Sequence, residues 1–200
     1  MRADPSPHKP PAHKGGIYPE AEAFFGIWLG RLTGILAVFG GIVLTGVMIV
    51  AVVSIIGRYG SRTGLPGLTQ LGPVPGDFEI VSMGAGIAIF CFLAWAQFNR
   101  GHITVDVFVS RLSPRALAGL AAAGNLLLTA LAVILVQQLQ IGLEEKRRFG
   151  ETTAILQLPI WWSYAGGMVG LWSFAIVSGY TVWRSLNEML GAGEEDGNLP

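Results

Sequence analysis

Few residues of this 200-residue chain have side chains that could hold a metal, bind a haem or act as a nucleophile. The three histidines, His8, His13 and His102, all lie outside the apolar stretches where the axial ligands of a membrane haem would have to sit. The lone cysteine, Cys91, lies inside such a stretch and cannot form an intrachain disulfide. No grouping of His, Cys, Asp and Glu in the sequence has the spacing of a metal or catalytic site. The sequence therefore predicts no catalytic residue, no metal site and no cofactor.

Two carboxylates, Asp77 and Glu79, come nearest to a membrane-embedded acid. Glu79 lies at the start of an apolar stretch, and a proton-coupled exporter of four spans would depend on one such carboxylate. Arg58 ends the preceding apolar stretch and is expected on the same side of the membrane. Two interpretations stay open. Either Arg58 and Glu79 pair across a helical hairpin, or the arginine snorkels to the interface and the glutamate is solvated.

The elements that position these residues follow from the distribution of charge. The chain has 13 basic and 13 acidic residues, and none of them falls in four apolar stretches, 32–57, 80–99, 116–143 and 160–183. A helix needs about 20 apolar residues to cross the roughly 30 Å hydrocarbon core of a bilayer. The sequence therefore predicts an all-α integral membrane protein with four transmembrane helices. This pattern excludes a soluble enzyme, a nucleic-acid-binding protein and a secreted disulfide-rich domain.

The remaining segments are expected to lie at or beyond the membrane surface. Residues 1–19 and 191–200 are expected to be disordered tails around a membrane domain of residues 20–190. Lysine and arginine are more numerous on the side that holds both termini, which predicts cytoplasmic termini. Two short interfacial helices are expected, and one of them directly follows span two. The other interfacial helix is predicted before span one by an apolar stripe, whose members are Ala21, Phe24, Phe25, Trp28, Leu29 and Leu32.

Small and polar side chains inside the spans predict close helix packing. Gly166, Gly167 and Gly170 lie along one side of span four, and small residues let helix backbones approach closely in lipid. Two interpretations stay open for this face: it packs against another helix of the same chain, or it binds a partner chain. Four polar residues of span three are expected either to hydrogen-bond to another helix or to lie in the interface region. They are Asn125, Gln137, Gln138 and Gln140, of which Gln137 and Gln140 share one face and could bond across to another helix.

The segment after span two carries Gly101, His102 and Asp106. His102 and Asp106 could form a metal or proton-transfer pair, but two residues alone are a weak indication, and local hydrogen bonding is the simpler interpretation. Thr104 is expected to cap the short interfacial helix, with Asp106 in its first turn. The structural and partner-interface candidates of the whole sequence are therefore Arg58, Glu79, Gly101, His102, Asp106, Gly166, Gly167 and Gly170.

The order of these features resembles the small membrane subunit of tripartite ATP-independent periplasmic (TRAP) transporters. The resemblance covers about residues 30–183, and its most specific part is the Gly-His-Ile-x-Val-Asp pattern at 101–106. The other matching features are Arg58 at the end of span one, Pro-Gly-Asp-Phe-Glu at 75–79, Arg-Leu-Ser-Pro-Arg at 111–115 and Thr-Thr-Ala-Ile-Leu-Gln-Leu-Pro-Ile-Trp-Trp at 152–162.

The resemblance implies a function in secondary transport. In such systems a soluble periplasmic protein captures an organic acid, such as a C4-dicarboxylate or a sialic acid. A large membrane subunit then carries the acid with sodium ions across a bacterial inner membrane. The resemblance implies that the small subunit binds the large one, enlarges its rigid scaffold and helps to dock the binding protein, with loops 59–76 and 144–158 in the periplasm. The alternative hypothesis is a self-sufficient four-span exporter that uses Glu79 as its proton site.

Overall fold

Four long helices make up most of the chain in the computed structural model, which describes residues 19–62, 72–99 and 114–196. The helices are α1 (Pro19–Gly60), α2 (Asp77–Phe98), α3 (Pro114–Phe149) and α4 (Trp161–Asp196). Each contains a segment long and apolar enough to cross a membrane, and no strand occurs among the described residues. The expectation of an all-α protein with four transmembrane helices is confirmed.

Helix α1 has 42 residues and begins well before the first charge-free stretch. At 1.5 Å per residue it is about 63 Å long, roughly twice the thickness of the hydrocarbon core. The apolar stripe of residues 21–32 is part of this helix, so a separate interfacial helix before span one is not confirmed. The stripe contains no proline, and its glycines weaken a helix without ending it. The helix therefore continues through it.

Other expected segments lie at or past the limits of the described residues. The interfacial helix expected after span two falls within residues 100–113, which are outside the described part of the chain, as is the tail before residue 19. Helix α4 continues to Asp196, past the expected end of the membrane domain at residue 190.

The helices form a row in the order α1, α2, α4, α3. Helix α2 packs against α1 on one side and α4 on the other, α3 packs against α4, and α1 touches α4 only slightly. Neighbours are antiparallel except for α2 and α4, which run parallel. Only 17% of the most apolar segment of α1, 17% of that of α2 and 11% of that of α3 is buried, against 56% for α4. Most of the apolar surface of the row therefore faces outward.

Helix α1 meets α2 along a stripe that repeats every seven residues. Val47 packs on Gly84 of α2, and a Cβ on Gly40 would lie 3.1 Å from the Cys91 Cβ. A seven-residue repeat is the pattern of helices that cross at about 20° and stay in contact along their length. We call this the inner stripe of α1; its buried members are Gly26, Thr33, Gly40, Val47 and Ser54.

The apolar core lies where α4 packs against α2 and α3. The core combines small and large residues, Ala94 and Ala132 of α2 and α3 with Leu171 and Phe174 of α4, which lets the helices approach closely. In lipid this close contact stabilises the core, because apolar side chains gain little by leaving the lipid tails. The buried members of the core are Ala94, Ala132, Val136, Leu171 and Phe174.

Candidate functional site

Asp77, the first residue of α2, fastens that helix to the end of α1. Its Oδ2 accepts a hydrogen bond from Ser54 Oγ at 2.5 Å and another from Arg58 Nη2 at 3.2 Å. Its Oδ1 accepts the Phe78 amide at 2.8 Å, and Ser54 Oγ in turn accepts the Val74 amide at 3.3 Å. Ser54 is fully buried, so the carboxylate provides a buried hydroxyl with the acceptor it needs. The end of α1 and the start of α2 lie on the same side of the membrane, and we call this end of the helices the Asp77 end.

Arg58 pairs with Asp77 and not with Glu79, so the Arg58–Glu79 pair considered from the sequence is wrong in its partner. Asp77 precedes Glu79 by two residues, and two residues turn an α-helix by about 200°, so the two carboxylates leave α2 on opposite sides. The Arg58 side chain remains 54% exposed, which makes this a surface ion pair of modest strength.

Glu79 faces the α3–α4 loop (residues 150–160), and its carboxylate is occupied by backbone amides. Its Oε1 accepts the Ile155 amide at 2.7 Å and its Oε2 accepts the Leu156 amide at 2.9 Å. Glu79 therefore accepts hydrogen bonds from the loop while its side chain stays partly exposed. The Leu156 side chain packs against Gly76, whose φ of 71° is left-handed and where a Cβ would overlap the leucine. Glycine is required at position 76 by both its conformation and its lack of space.

The α3–α4 loop is closed by hydrogen bonds of its own. Lys146 Nζ donates to both carboxylate oxygens of Glu151, at 2.9 and 2.7 Å. The Thr153 amide donates to the Leu158 carbonyl at 2.9 Å, and the Leu158 amide donates back to Thr153 Oγ1 at 3.0 Å. The loop therefore presents its two amides to Glu79 in a fixed geometry.

The glycine face of α4 is covered by α2 of the same chain. A Cβ on Gly166 would lie 2.8 Å from Ile87 Cδ1, and one on Gly167 would lie 2.9 Å from the ring of Phe90. At Gly170 the nearest atoms are backbone, because a Cβ there would lie 2.5 Å from the Phe90 carbonyl carbon. This geometry corresponds to the internal-packing interpretation of that face, since the backbones of α2 and α4 are in contact at Gly170.

A group of polar side chains joins α2, α3 and α4 near the opposite ends of these helices. We call this the Gln97 end. Gln97 Nε2 donates to Asn125 Oδ1 at 3.3 Å and to Thr181 Oγ1 at 3.0 Å, and Asn125 Nδ2 donates to Ser185 Oγ at 3.0 Å. Gln97 is only 1% exposed, and Thr181 and Ser185 are fully buried. Among the polar residues of span three, interhelical hydrogen bonding is confirmed for Asn125, whereas Gln140 donates to Glu144 of its own helix. The role of Gln97 was not predicted from the sequence.

Glu22 and Asn187 fasten α1 to α4 at the Gln97 end. Asn187 Nδ2 donates to Glu22 Oε2 at 2.6 Å, and the Tyr180 hydroxyl donates to the Glu22 backbone carbonyl at 3.4 Å. Glu22 is 5% exposed and Asn187 is fully buried. This contact was not predicted from the sequence. The sequence does contain one signal for it. Glu22 is a charged residue beside a membrane span, and such a residue needs a partner.

These side chains are engaged in contacts that hold helices together. Among the described residues no three His, Cys, Asp or Glu side chains lie close enough together to hold a metal ion. Cys91 is buried between helices. Gly101, His102 and Asp106 lie outside the described residues, so the roles expected for them stay predictions.

A comparison with protein families matches residues 47–188 to the family model of the DctQ component of tripartite ATP-independent periplasmic transporters. The match begins in the middle of α1 and ends within α4. It therefore includes every residue named above at the Asp77 end and the Gln97 end except Glu22. No curated protein and no solved structure matches the chain.

Proposed function

The chain belongs to the DctQ component family of tripartite ATP-independent periplasmic transporters, and we propose that it serves as their scaffold subunit. In this proposal it binds the large permease and does not itself carry substrate. The large permease takes up an organic acid, delivered by a periplasmic binding protein, together with sodium ions. The family is one of transporter components and not of enzymes. We further propose that this multi-pass membrane protein lies in the bacterial inner membrane with both termini in the cytoplasm.

The observation that carries this proposal is the arrangement of the helices in a row. Transport sites in secondary carriers lie near the bilayer midplane, between repeats or broken helices that surround the substrate. Four unbroken helices in a row, with α1 and α3 as the outermost helices, surround no such space in the described part of the chain. The same row offers broad apolar faces to neighbouring chains, which is what a scaffold subunit needs.

The hydrogen bonds at both ends of the row support the same proposal. The Asp77 end joins α1, α2 and the α3–α4 loop, and the Gln97 end joins all four helices through polar side chains. Hydrogen bonds at both ends restrain the helices against sliding or opening. A carrier domain that moves through the membrane requires such a fixed frame beside it.

The geometry of Glu79 argues against the alternative of a self-sufficient exporter. A proton-coupled exporter needs a carboxylate that exchanges a proton for substrate, within reach of both. Glu79 is the third residue of α2, at the helix end, and both of its oxygens accept backbone amides. Proton exchange at this carboxylate would compete with the two hydrogen bonds that hold the α3–α4 loop.

Co-purification tests the proposal directly. The chain, affinity-tagged and expressed with the large permease from the same organism, is extracted in mild detergent and isolated by its tag. We expect the permease to be retained in a fixed ratio to the chain through size-exclusion chromatography. Separate elution of the two proteins under conditions where both stay monodisperse would contradict a scaffold function.

A further inference from the structure

Helix α1 carries a second repeat on a side that the described chain leaves uncovered. Its residues alternate at spacings of three and four, as in a coiled-coil seam, and are offset from the inner stripe that faces α2. The apolar members are 48% to 68% exposed. The hydroxyl of the one polar member, Thr45, donates to the Gly41 carbonyl of the same helix at 2.7 Å. We call this set the outer stripe; it consists of Ile35, Val38, Ile42, Thr45, Ile49 and Val52.

The residue types of the outer stripe are those of a surface that packs against another helix. Every member is β-branched, and such side chains hold one preferred rotamer in a helix, so they lose little freedom when packed. Lipid tails place no demand on the spacing of the side chains they cover, whereas a helix in contact along its length requires the repeat of three and four. The exposed side chains of α3 are more mixed in type, since leucines such as Leu126 and Leu127 occur there beside the β-branched Val133 and Ile134.

The surface beside the outer stripe has room for a neighbouring backbone. Gly34 lines one groove together with Trp95 of α2, and Gly41 and Gly46 line the next groove along α1. A Cβ on Gly41 or Gly46 would meet no described atom within 4 Å. The first groove is continuous with the α1–α2 interface, because Trp95 contributes to both.

The length of the outer stripe indicates what kind of element would cover it. From Ile35 to Val52 it extends by about 26 Å, at 1.5 Å per residue. The hydrocarbon core is about 30 Å thick, so an occupant in contact with the whole stripe must itself be a transmembrane helix.

Arg31 decides between a second copy of this chain and a different partner. It is exposed, lies four residues before Ile35 and lines the same groove. Two copies inserted in the same orientation and paired through their outer stripes would bring their Arg31 side chains together, where like charges repel. A different helix that carries a carboxylate at this depth would form an ion pair instead.

We propose that the outer stripe of α1 binds a transmembrane helix of the large permease, with an acidic side chain of that helix opposite Arg31. This inference rests on the proposed function and adds to it the face of the chain that the permease covers. The exposed side of α3, the outermost helix on the opposite side of the row, is left to lipid.

Site-specific cross-linking in the membrane tests the proposal. A photo-cross-linking amino acid replaces Ile42 in the outer stripe, or Leu127 on α3 as the matched control, which is 72% exposed. In cells that also express the permease, we expect a chain–permease adduct from position 42 and a yield lower by about tenfold or more from position 127. An adduct of two copies of this chain, an adduct with lipid alone, or equal permease adducts from both positions would overturn the proposal.

A pair of glycine substitutions provides an independent measurement. Gly41→Leu fills the groove beside the outer stripe, and Gly124→Leu makes the same change on α3, where a Cβ also meets no described atom within 4 Å. We expect Gly41→Leu to lower the permease co-purified with the chain by about tenfold or more, and Gly124→Leu to leave it unchanged. Retention of the permease by both variants would refute the outer-stripe proposal alone. Failure of the unmodified chain to retain the permease would refute the proposed function, and this inference with it.

Discussion

Gly170 is a position where even a methyl side chain should disturb the packing of two helices. A Cβ there would lie 2.5 Å from the carbonyl carbon of Phe90 and 2.7 Å from the nitrogen of Cys91. Ordinary contacts between carbon atoms are about 3.5–4.0 Å, so α2 and α4 would have to separate locally by ~1 Å to admit the methyl group. Backbone atoms cannot turn aside as the end of a side chain can, so the helices themselves must move.

The cost of Gly170→Ala follows from this separation. Overpacking a well-packed interior typically costs about 1–3 kcal/mol. The separation would also loosen Leu171 and Phe174, which belong to the buried core beside Gly170. We therefore expect Gly170→Ala to lower the free energy of unfolding by about 2 kcal/mol. Gly179, on the same helix but with no described atom within 4 Å of its Cβ position, is the matched control. Gly179→Ala should be neutral or stabilising by up to ~1 kcal/mol, because alanine favours a helix.

The two variants are compared by equilibrium unfolding in mixed micelles with rising sodium dodecyl sulfate. Tryptophan fluorescence and far-ultraviolet circular dichroism report the same transition if unfolding is two-state, and each then yields a free energy. Equal stabilities for Gly170→Ala and Gly179→Ala would refute the close approach of α2 and α4, and with it the internal role of the glycine face.

Three further predictions concern the hydrogen bonds at the two ends of the row. Glu79→Gln removes one of the two acceptors that hold the α3–α4 loop, so the loop amides should exchange with deuterium several-fold faster. Unchanged exchange would contradict the contact. Gln97→Leu removes two interhelical hydrogen bonds and should lower the free energy of unfolding in the same micelle assay by about 1 kcal/mol. An unchanged free energy would show that these bonds do not stabilise the row. A double-mutant cycle of Glu22→Ala and Asn187→Ala should give a coupling of about 1 kcal/mol, and additive effects would argue against their direct bond.

The number of helices and the membrane class could be predicted because both depend on local composition. Scarcity of charge and length of apolar runs are read along the chain, and a helix across a bilayer satisfies its own backbone. The order of the row could not be predicted. All four helices carry small residues on some face, so the sequence alone does not say which faces meet. The continuity of α1 depended on the absence of a residue that would stop the helix, a weaker signal than a proline or a cap.

The contacts of the charged candidates were predicted less well, for reasons that differ between residues. The turn of 100° per residue places Asp77 and Glu79 on opposite sides of α2, so only one of them can face Arg58. Which one does so depends on how α2 packs against α1, which the sequence does not indicate. The partners of Glu79 are backbone amides 76 and 77 residues away, and a backbone amide carries no mark of its position in the sequence. Glu22 and Asn187 are 165 residues apart, and only the folded row brings them together.

Uptake by reconstituted vesicles tests the central claim most directly. Vesicles contain the large permease, this chain, or both, with the binding protein loaded with an organic acid outside and an inward sodium gradient. The scaffold account predicts uptake only when permease and chain are present together, and none with the chain alone. Uptake by the chain alone, or full uptake by the permease without it, would contradict the account.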